Sequence, residues 1–281
     1  MRRSRILRFP VYLRLLAPIL LFIAPGMASA QTVTGPFMQQ ALEQQGLGGE
    51  KLPSGWSITV GGALAAAPRY PGASSKRARF APLVSLVYDR RVFLGPLGVG
   101  AIAVHWKGFR AGPLIGLQGG RQPSDDPHLT GLGDISRSVT AGAFAGYRIG
   151  FATVSAIVRQ AISHSQNGLS GLFQVNLHGA FLHRRVLLLV GPDAEYGNSD
   201  YMRTWFGVST TQSSSSGLPA YVTHAGIASV GLHAGLTYRA TRHWFWRVFM
   251  GVRKLTGVAG ASPIVERRTQ VLAGAGIAYH F

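Results

Sequence analysis

The chain of 281 residues carries 37 Gly, no Cys and 28 Lys+Arg against 10 Asp+Glu, a formal net charge of +18 with 47% hydrophobic residues. Charged residues are only 14%, against roughly 25% in a typical soluble domain, so a soluble enzyme is a poor fit; the apolar content excludes disorder and the lack of a G-x-y period excludes collagen. Zero Cys excludes disulfide scaffolds, thiolate metal sites and cysteine nucleophiles.

In chain order, the first segment is an export signal. Arg2, Arg3, Arg5, Arg8 and Arg14 precede an apolar run from Leu15 to Ala24, and Ala28-Ser29-Ala30 forms a small-residue cleavage site. This predicts a secretory signal peptide over 1–30; the alternative, a membrane anchor, needs about 20 apolar residues. An exported basic chain makes nucleic acid an unsuitable partner. Outer-membrane lipid and the phosphates of lipopolysaccharide suit its charge better. Residues 31–54 read as a periplasmic N-terminal segment, with Thr34 capping a short helix that Gly46 ends.

From Trp56 onward no segment shows a 3.6-residue period, and apolar residues alternate with small or polar ones. Trp56, Ile58, Val60 and Leu64 form one face of the first such segment, and Phe80, Val84, Leu86 and Tyr88 one face of the next. Phe109, Ala111, Ile115 and Leu117 oppose Arg110, Gly112 and Gln118. Phe173, Val175 and Leu177 oppose Gln174, Asn176 and His178, and Val230 to Tyr238 and Trp244 to Val252 repeat the pattern. Alternation means strands with two unlike faces. A sandwich needs bulky residues on both inner faces. Here the second face holds Gly, Ser, Thr, Asn, Gln, His and Arg, which suits the lumen of a membrane barrel whose apolar face meets lipid. Aromatics at strand ends (Trp56, Tyr88, Phe109, Phe181, Tyr196, Tyr238, Trp244) fit an interfacial girdle.

The predicted class is therefore all-β, a transmembrane antiparallel up-and-down barrel over 55–281, located in the outer membrane and closed by the C-terminal strand. Long connections at 68–77, 121–137, 164–168, 197–226 and 257–267 alternate with short ones near Asp89, Arg148-Ile149, His183-Arg184 and Thr241-Arg242. Placing every long loop outside requires Arg91–His105 to be two short strands broken near Gly95-Pro96, which gives about twelve strands; ten is the alternative, since each half falls short of a 9–11-residue span. The last strand ends in Tyr279-His280-Phe281, a form that resembles the signal read by the barrel assembly machinery, with Tyr279 and Phe281 as its aromatic residues.

Five loop motifs carry a family resemblance. They are Pro68-Arg69-Tyr70-Pro71-Gly72; Gly120-Arg121 with Leu129-Thr130-Gly131-Leu132-Gly133-Asp134-Ile135; Trp205-Phe206-Gly207-Val208; Ser216-Gly217-Leu218-Pro219-Ala220-Tyr221; and Ser262-Pro263-Ile264-Val265. In this order, from about Trp56 to Phe281, the chain resembles the MipA/OmpV family of outer-membrane proteins. The resemblance implies an outer-membrane barrel and, for the name-giving member, a scaffold joining a lytic transglycosylase to a murein synthase. Other members are described as adhesins or antigens. A narrow pore or surface adhesin is therefore the alternative function.

Candidate chemistry is sparse. His164-Ser165-Gln166-Asn167-Gly168 resembles the H-x-S-N-G word of outer-membrane lipid hydrolases, but its Ser stands at i+1, on the opposite face of a strand from His164. Acids at Asp125, Asp126, Asp134, Asp193, Glu195 and Asp200 invite comparison with an omptin-like protease. The plainer expectation is that Asp193 and Glu195 pair with arginines such as Arg148, Arg159 and Arg247, and that Asp134 organises the turn from Gly131 to Ile135. No His spacing suits a metal, Ser213–Ser216 reads as a flexible loop tip, and no catalytic residue or cofactor is expected. Arg110, Arg148, Arg159, Arg239, Arg247 and Arg253 are predicted to line the lumen, either as an anion-selective constriction or as packing inside a filled barrel.

Overall fold

A computed structural model describes residues 55–89 and 91–281; the predicted signal peptide and the helix expected after Thr34 lie outside them. The strands are β1 (Trp56–Pro68), β2 (Lys76–Tyr88), β3 (Val92–Gly95), β4 (Gly98–Ala101), β5 (Val104–Trp106), β6 (Phe109–Gln118), β7 (Ser138–Ile149), β8 (Ala152–Ala161), β9 (Leu169–Phe181), β10 (Val186–Gly197), β11 (Gly226–Arg239), β12 (Trp244–Leu255) and β13 (Thr269–His280). Each pairs antiparallel with the next, except that β4 and β5 both pair with β6, and β13 pairs with β1. The ring thus closes over twelve strands, with β5 as one extra piece. Closure pairs neighbouring strands all round the ring, as a hydrocarbon environment favours, except along the upper edge of β2 from Lys76 to Ser85.

The two faces separate as the alternation requires. On β12, Trp244, Trp246, Val248, Met250 and Val252 are exposed on the outside, while Phe249 is buried and Arg247 and Arg253 point inward half-buried. On β9, Gln174 and Asn176 are buried between exposed Phe173 and Leu177. Exposed aromatics gather mainly at the short-turn end, where Trp106, Tyr147 and Phe151 join Trp56, Tyr88, Phe181, Tyr238 and Trp244.

The break predicted near Gly95-Pro96 is a tight turn between β3 and β4, whose four-residue strands pair Gly95 with Gly98. Gly98 has φ +116°, and a Cβ there would stand 2.0 Å from the Ile115 carbonyl oxygen. β4 and β5 follow one path along β6, interrupted where Gly100 faces Leu114 but Val104 faces Ala111. Pro113, which has no N–H to donate, lies opposite this bulge. One short turn sits at Gly150-Phe151, two residues beyond the expected Arg148-Ile149.

By the convention that long loops face outside, the cell-surface end carries the connections after β1, β6, β8, β10 and β12. Two helices longer than a single turn form there, α1 (Ser199–Phe206) and α2 (Thr210–Ser216). The sequence reading missed both, and Ser213–Ser216 is helix rather than flexible tip. Ser209 and Gln212 form a capping box, and Ser214, Ser215 and Ser216 each donate back to the carbonyl four residues earlier. In α2 local capping and back-bonding take the place of an amphipathic period, whereas α1 buries Tyr201, Met202, Trp205 and Phe206 on one face.

Candidate functional site: a capped, charge-lined lumen

The surface loops do not splay outward; they close over the barrel mouth and share two apolar cores. One holds Tyr70, Ala73, Leu129, Leu132, Val208 and Ile264, and the other is built on Ile135 and the buried face of α1, Tyr201, Met202, Trp205 and Phe206. Main-chain acceptors at the seams are met by side chains from other loops. Tyr70 Oη donates to the Ile264 carbonyl at 3.2 Å, Arg121 Nη1 to the Trp205 carbonyl at 3.0 Å, and Ser262 Oγ to the Phe206 carbonyl at 2.6 Å. The Gly72 carbonyl accepts from the Glu266 and Arg267 amides, His128 meets the Pro263 carbonyl, and Tyr221 Oη donates to the Val258 carbonyl. The motif residues named from sequence thus meet mostly in one place, as cap construction. Gly207 lies buried after α1, while Ser216 and Gly217 end α2.

Asp134 departs from expectation. It is exposed, and its side chain makes no hydrogen bond to any described residue. Gly131 and Gly133, at φ +81° and +74°, shape the turn instead. At Gly72, φ is +105° and a Cβ would lie 2.7 Å from Val265 Cγ2. Gly72→Ala is expected to cost about 1–3 kcal/mol through backbone strain and overpacking, read as a lower thermal unfolding midpoint in detergent.

Charge within the cap is arranged by burial. Desolvation pushes Arg121 down to about 10, which still leaves it charged at neutral pH. Burial, reinforced by Glu266, pushes the Tyr70 hydroxyl far up. Partial desolvation acts to raise Glu266, but donation from Ser74 N, Tyr70 Oη and Ser74 Oγ outweighs it and holds the carboxyl below its ordinary value. A depressed carboxyl stabilises the fold above its unfolded pKa and loses that contribution as pH falls through the folded value. Protease resistance of the cap is therefore expected to fall as the medium is acidified below the ordinary carboxylate range. Glu266→Gln should flatten that dependence; an unchanged acid profile would count against the assignment.

Beneath the cap lies a polar cross-brace. Arg253 on β12 reaches across β11 to β10, where its Nη2 stands 2.7 Å from Asp193 Oδ1 and its Nη1 3.0 Å from Glu195 Oε2. Gly231 lies between Arg253 and Asp193 in the ladder, and its missing side chain leaves the passage. His233 sits 3.0 Å from Asp193 Oδ2 through Nδ1 and 3.0 Å from Asn176 Oδ1 through Nε2. Tyr201 of α1 donates to Glu195 Oε1 at 2.7 Å, tying cap to wall; burial and the Glu195 charge push its hydroxyl far up. The carboxylates thus do bind an arginine, but it is Arg253, with Arg159 near Glu195; neither Arg148 nor Arg247 supplies the ion pair.

Both imidazole nitrogens of His233 are engaged, one by the Asp193 carboxylate and the other by the Asn176 amide oxygen. The neighbouring cavity is about 50 Å³, against roughly 300–1,000 Å³ for ligand pockets. His164 meets Ser163 Oγ at 3.3 Å rather than Ser165, and Asn167 is buried where it donates to the Ser136 carbonyl. Asp125 and Asp126 tie the loop after β6 to Arg77, Ser75 and neighbouring backbone amides, and Asp200 pairs with Arg203. Among the described residues no three His, Asp or Glu gather as a metal site.

Along the β2–β3 and β6–β9 side of the lumen, from the level of Glu195 downward, Val87, Phe93, Leu97, Leu114, Phe144, Ile157 and Leu172 form an apolar plug, with the Phe93 and Phe144 rings 5.5 Å apart edge to face. No sequence period announced it, because its members come one at a time from six strands and one turn. Towards the short-turn end the inward positions hold Arg110, Arg148 and Arg247, while Arg239 lies exposed at the mouth over the Phe245 ring. The only acids in described strands are Asp193 and Glu195, so this end is basic. Arg91, Lys107, Arg184, Arg185 and Arg242 add exposed charge at the rim against Asp89.

The model of a protein family described as MltA-interacting protein MipA matches residues 60–281. No curated protein matches the chain. Among solved structures, an outer membrane channel from Pseudomonas putida F1 aligns at 13% identity and TM-score 0.45, covering 83% of this chain and 97% of that one. The translocator domain of the autotransporter NalP from Neisseria meningitidis aligns at 10% identity and TM-score 0.44, covering 92% of this chain and 100% of its own. A closed twelve-membered barrel, loop motifs that build its cap and a family match over nearly all the described residues agree: the chain belongs to the MipA family of outer-membrane β-barrel proteins.

Proposed function

We propose that this protein is a non-enzymatic, non-conducting scaffold of the outer membrane that holds murein-remodelling enzymes at its periplasmic face. The observation that carries this reading is the asymmetry of the barrel. One mouth is sealed by an interlocked cap above a cross-braced and plugged lumen, while the other presents short turns and a basic rim. A sealed lumen disfavours a pore. The rim suits an acidic protein surface or the carboxylates of murein, and the family description, MltA-interacting protein, names a binding partner. Export by the signal peptide and insertion by the barrel assembly machinery belong to the same proposal.

The test is co-purification from detergent extracts at low salt. Capture of a lytic transglycosylase, with or without a murein synthase, is expected, and Arg184→Glu combined with Arg185→Glu and Arg242→Glu should lower it at least tenfold. Reproducible absence of the enzyme from wild-type extracts would sink the scaffold. Large anion-selective steps in planar bilayers would instead favour the pore.

A further inference from the structure

The barrel wall contains a window. β2 pairs with β1 along its whole length from Lys76 to Tyr88, but with β3 only from Leu86 to Tyr88. The edge from Lys76 to Ser85 has no strand partner among the described residues, because the β3–β4 hairpin turns back at Pro96-Leu97. Across the gap, β6 pairs with β4 no higher than Ile115. The hairpin tip is the sill, and the loop after β6 is the lintel, where Asp125 Oδ1 stands 3.7 Å from Arg77 Nη1 and the Asp125 carbonyl accepts from Arg69. Two missing strand halves leave room for a gap of about 14 Å at ordinary strand spacing.

Its depth matters. With Tyr88 in the aromatic girdle, the free edge from Ser85 to Phe80 rises about 8 to 20 Å above it along a tilted strand, inside the roughly 25 Å apolar band. Lys76 falls beyond that band, at head-group level. The frame presents Phe80, Val84, Ile115 and Leu117, exposed by 63, 42, 56 and 52%. Lys76 and Arg77 are exposed at its top, Arg77 sharing its charge with Asp125. Behind it, buried Arg79 Nε, Gln118 Nε2 and Thr140 Oγ1 have no hydrogen-bond partner among the described residues. The opening is thus apolar in the middle, cationic at its top and rich in donors.

We propose that the window is a lipid site, in which a phosphate-bearing lipid of the outer leaflet seats its head on Lys76 and Arg77 and lays an acyl chain across the frame. The ester and phosphate oxygens of such a lipid are acceptors only, which matches the surplus of donors. A strand from a second barrel fits less well. Pro82 interrupts the donor row of the free edge, and sill and lintel bar a neighbouring wall from registering along β2. The site faces the opposite leaflet from the proposed enzyme-docking rim and stands or falls separately from it.

The experiment places benzoylphenylalanine at Phe80 or Leu117, and for comparison at Leu232 or Val248 on other strands of the wall, in full-length protein in phosphatidylglycerol vesicles. After illumination, lipid adducts are counted by mass spectrometry. At least fivefold more adduct at Phe80 and Leu117 is expected, falling threefold or more with Lys76→Gln plus Arg77→Gln. Glycerol phosphate and diacylglycerol, added separately, should each compete poorly, since the site needs head and chain together. Equal adducts at all four positions, full competition by glycerol phosphate alone, or crosslinks to residues 31–54 in place of lipid would each overturn the proposal. Native mass spectrometry of the unmodified protein gives an independent reading: one retained phosphatidylglycerol supports the site, and a bare barrel contradicts it.

Discussion

Arg253→Met is expected to destabilise the barrel by about 3–5 kcal/mol, the range for removing one partner of a buried ion pair. The side chain is 18% exposed, and Asp193, which it contacts, only 3%. Methionine fills much of the volume but leaves Asp193 and Glu195 facing the lumen without their guanidinium. His233 and Tyr201 cannot compensate fully, since each already contacts one of the carboxylates. The measurement is urea unfolding in lipid vesicles, followed by loss of heat-modifiable gel mobility. Adding Asp193→Asn and Glu195→Gln to Arg253→Met should recover more than half of the loss, because the uncompensated charges go with the cation. A single substitution costing less than about 1 kcal/mol, the value typical of a surface ion pair, would show that the brace is solvated.

Trp205→Ala is expected to have an effect of similar size, confined to the cap. Trp205 is 2% exposed, packs beside Tyr201 with ring centroids 6.1 Å apart, and its carbonyl receives Arg121. Truncating a buried Trp costs about 3–5 kcal/mol. The strands are held by ladders and lipid contacts that the substitution does not touch, so the loss should appear as local opening. Limited proteolysis should cut the segment 198–225 at least a hundredfold faster while the barrel still resists heat and detergent. If cap and barrel unfold together instead, they are one cooperative unit and the plugged lumen is more rigid than inferred.

Much of the architecture was legible because a membrane barrel forces a rule on every strand. Lipid outside and a narrow lumen inside impose a two-residue period, so the faces of β9, β11 and β12 could be read directly from alternation. The short β3–β4 hairpin was legible for a different reason: parity of strands together with Gly95-Pro96 required a turn there. Cap residues were found as motif words, yet their purpose was hidden. Tyr70 and Ile264 are 194 residues apart, and Ser262 and Phe206 are 56 apart, so no local pattern reveals that one donates to the other's carbonyl.

The sequence by itself determined the class, the two faces of each strand and the basic balance, since these follow from period and composition. Only the tertiary structure decided which arginine meets Asp193 and Glu195, which loops form a lid, and that part of the wall above the short hairpin is left open. Period fixes which side a residue faces but not its neighbour across the lumen. That choice depends on strand register and on where small residues such as Gly231 leave a passage, which only the closed ring defines.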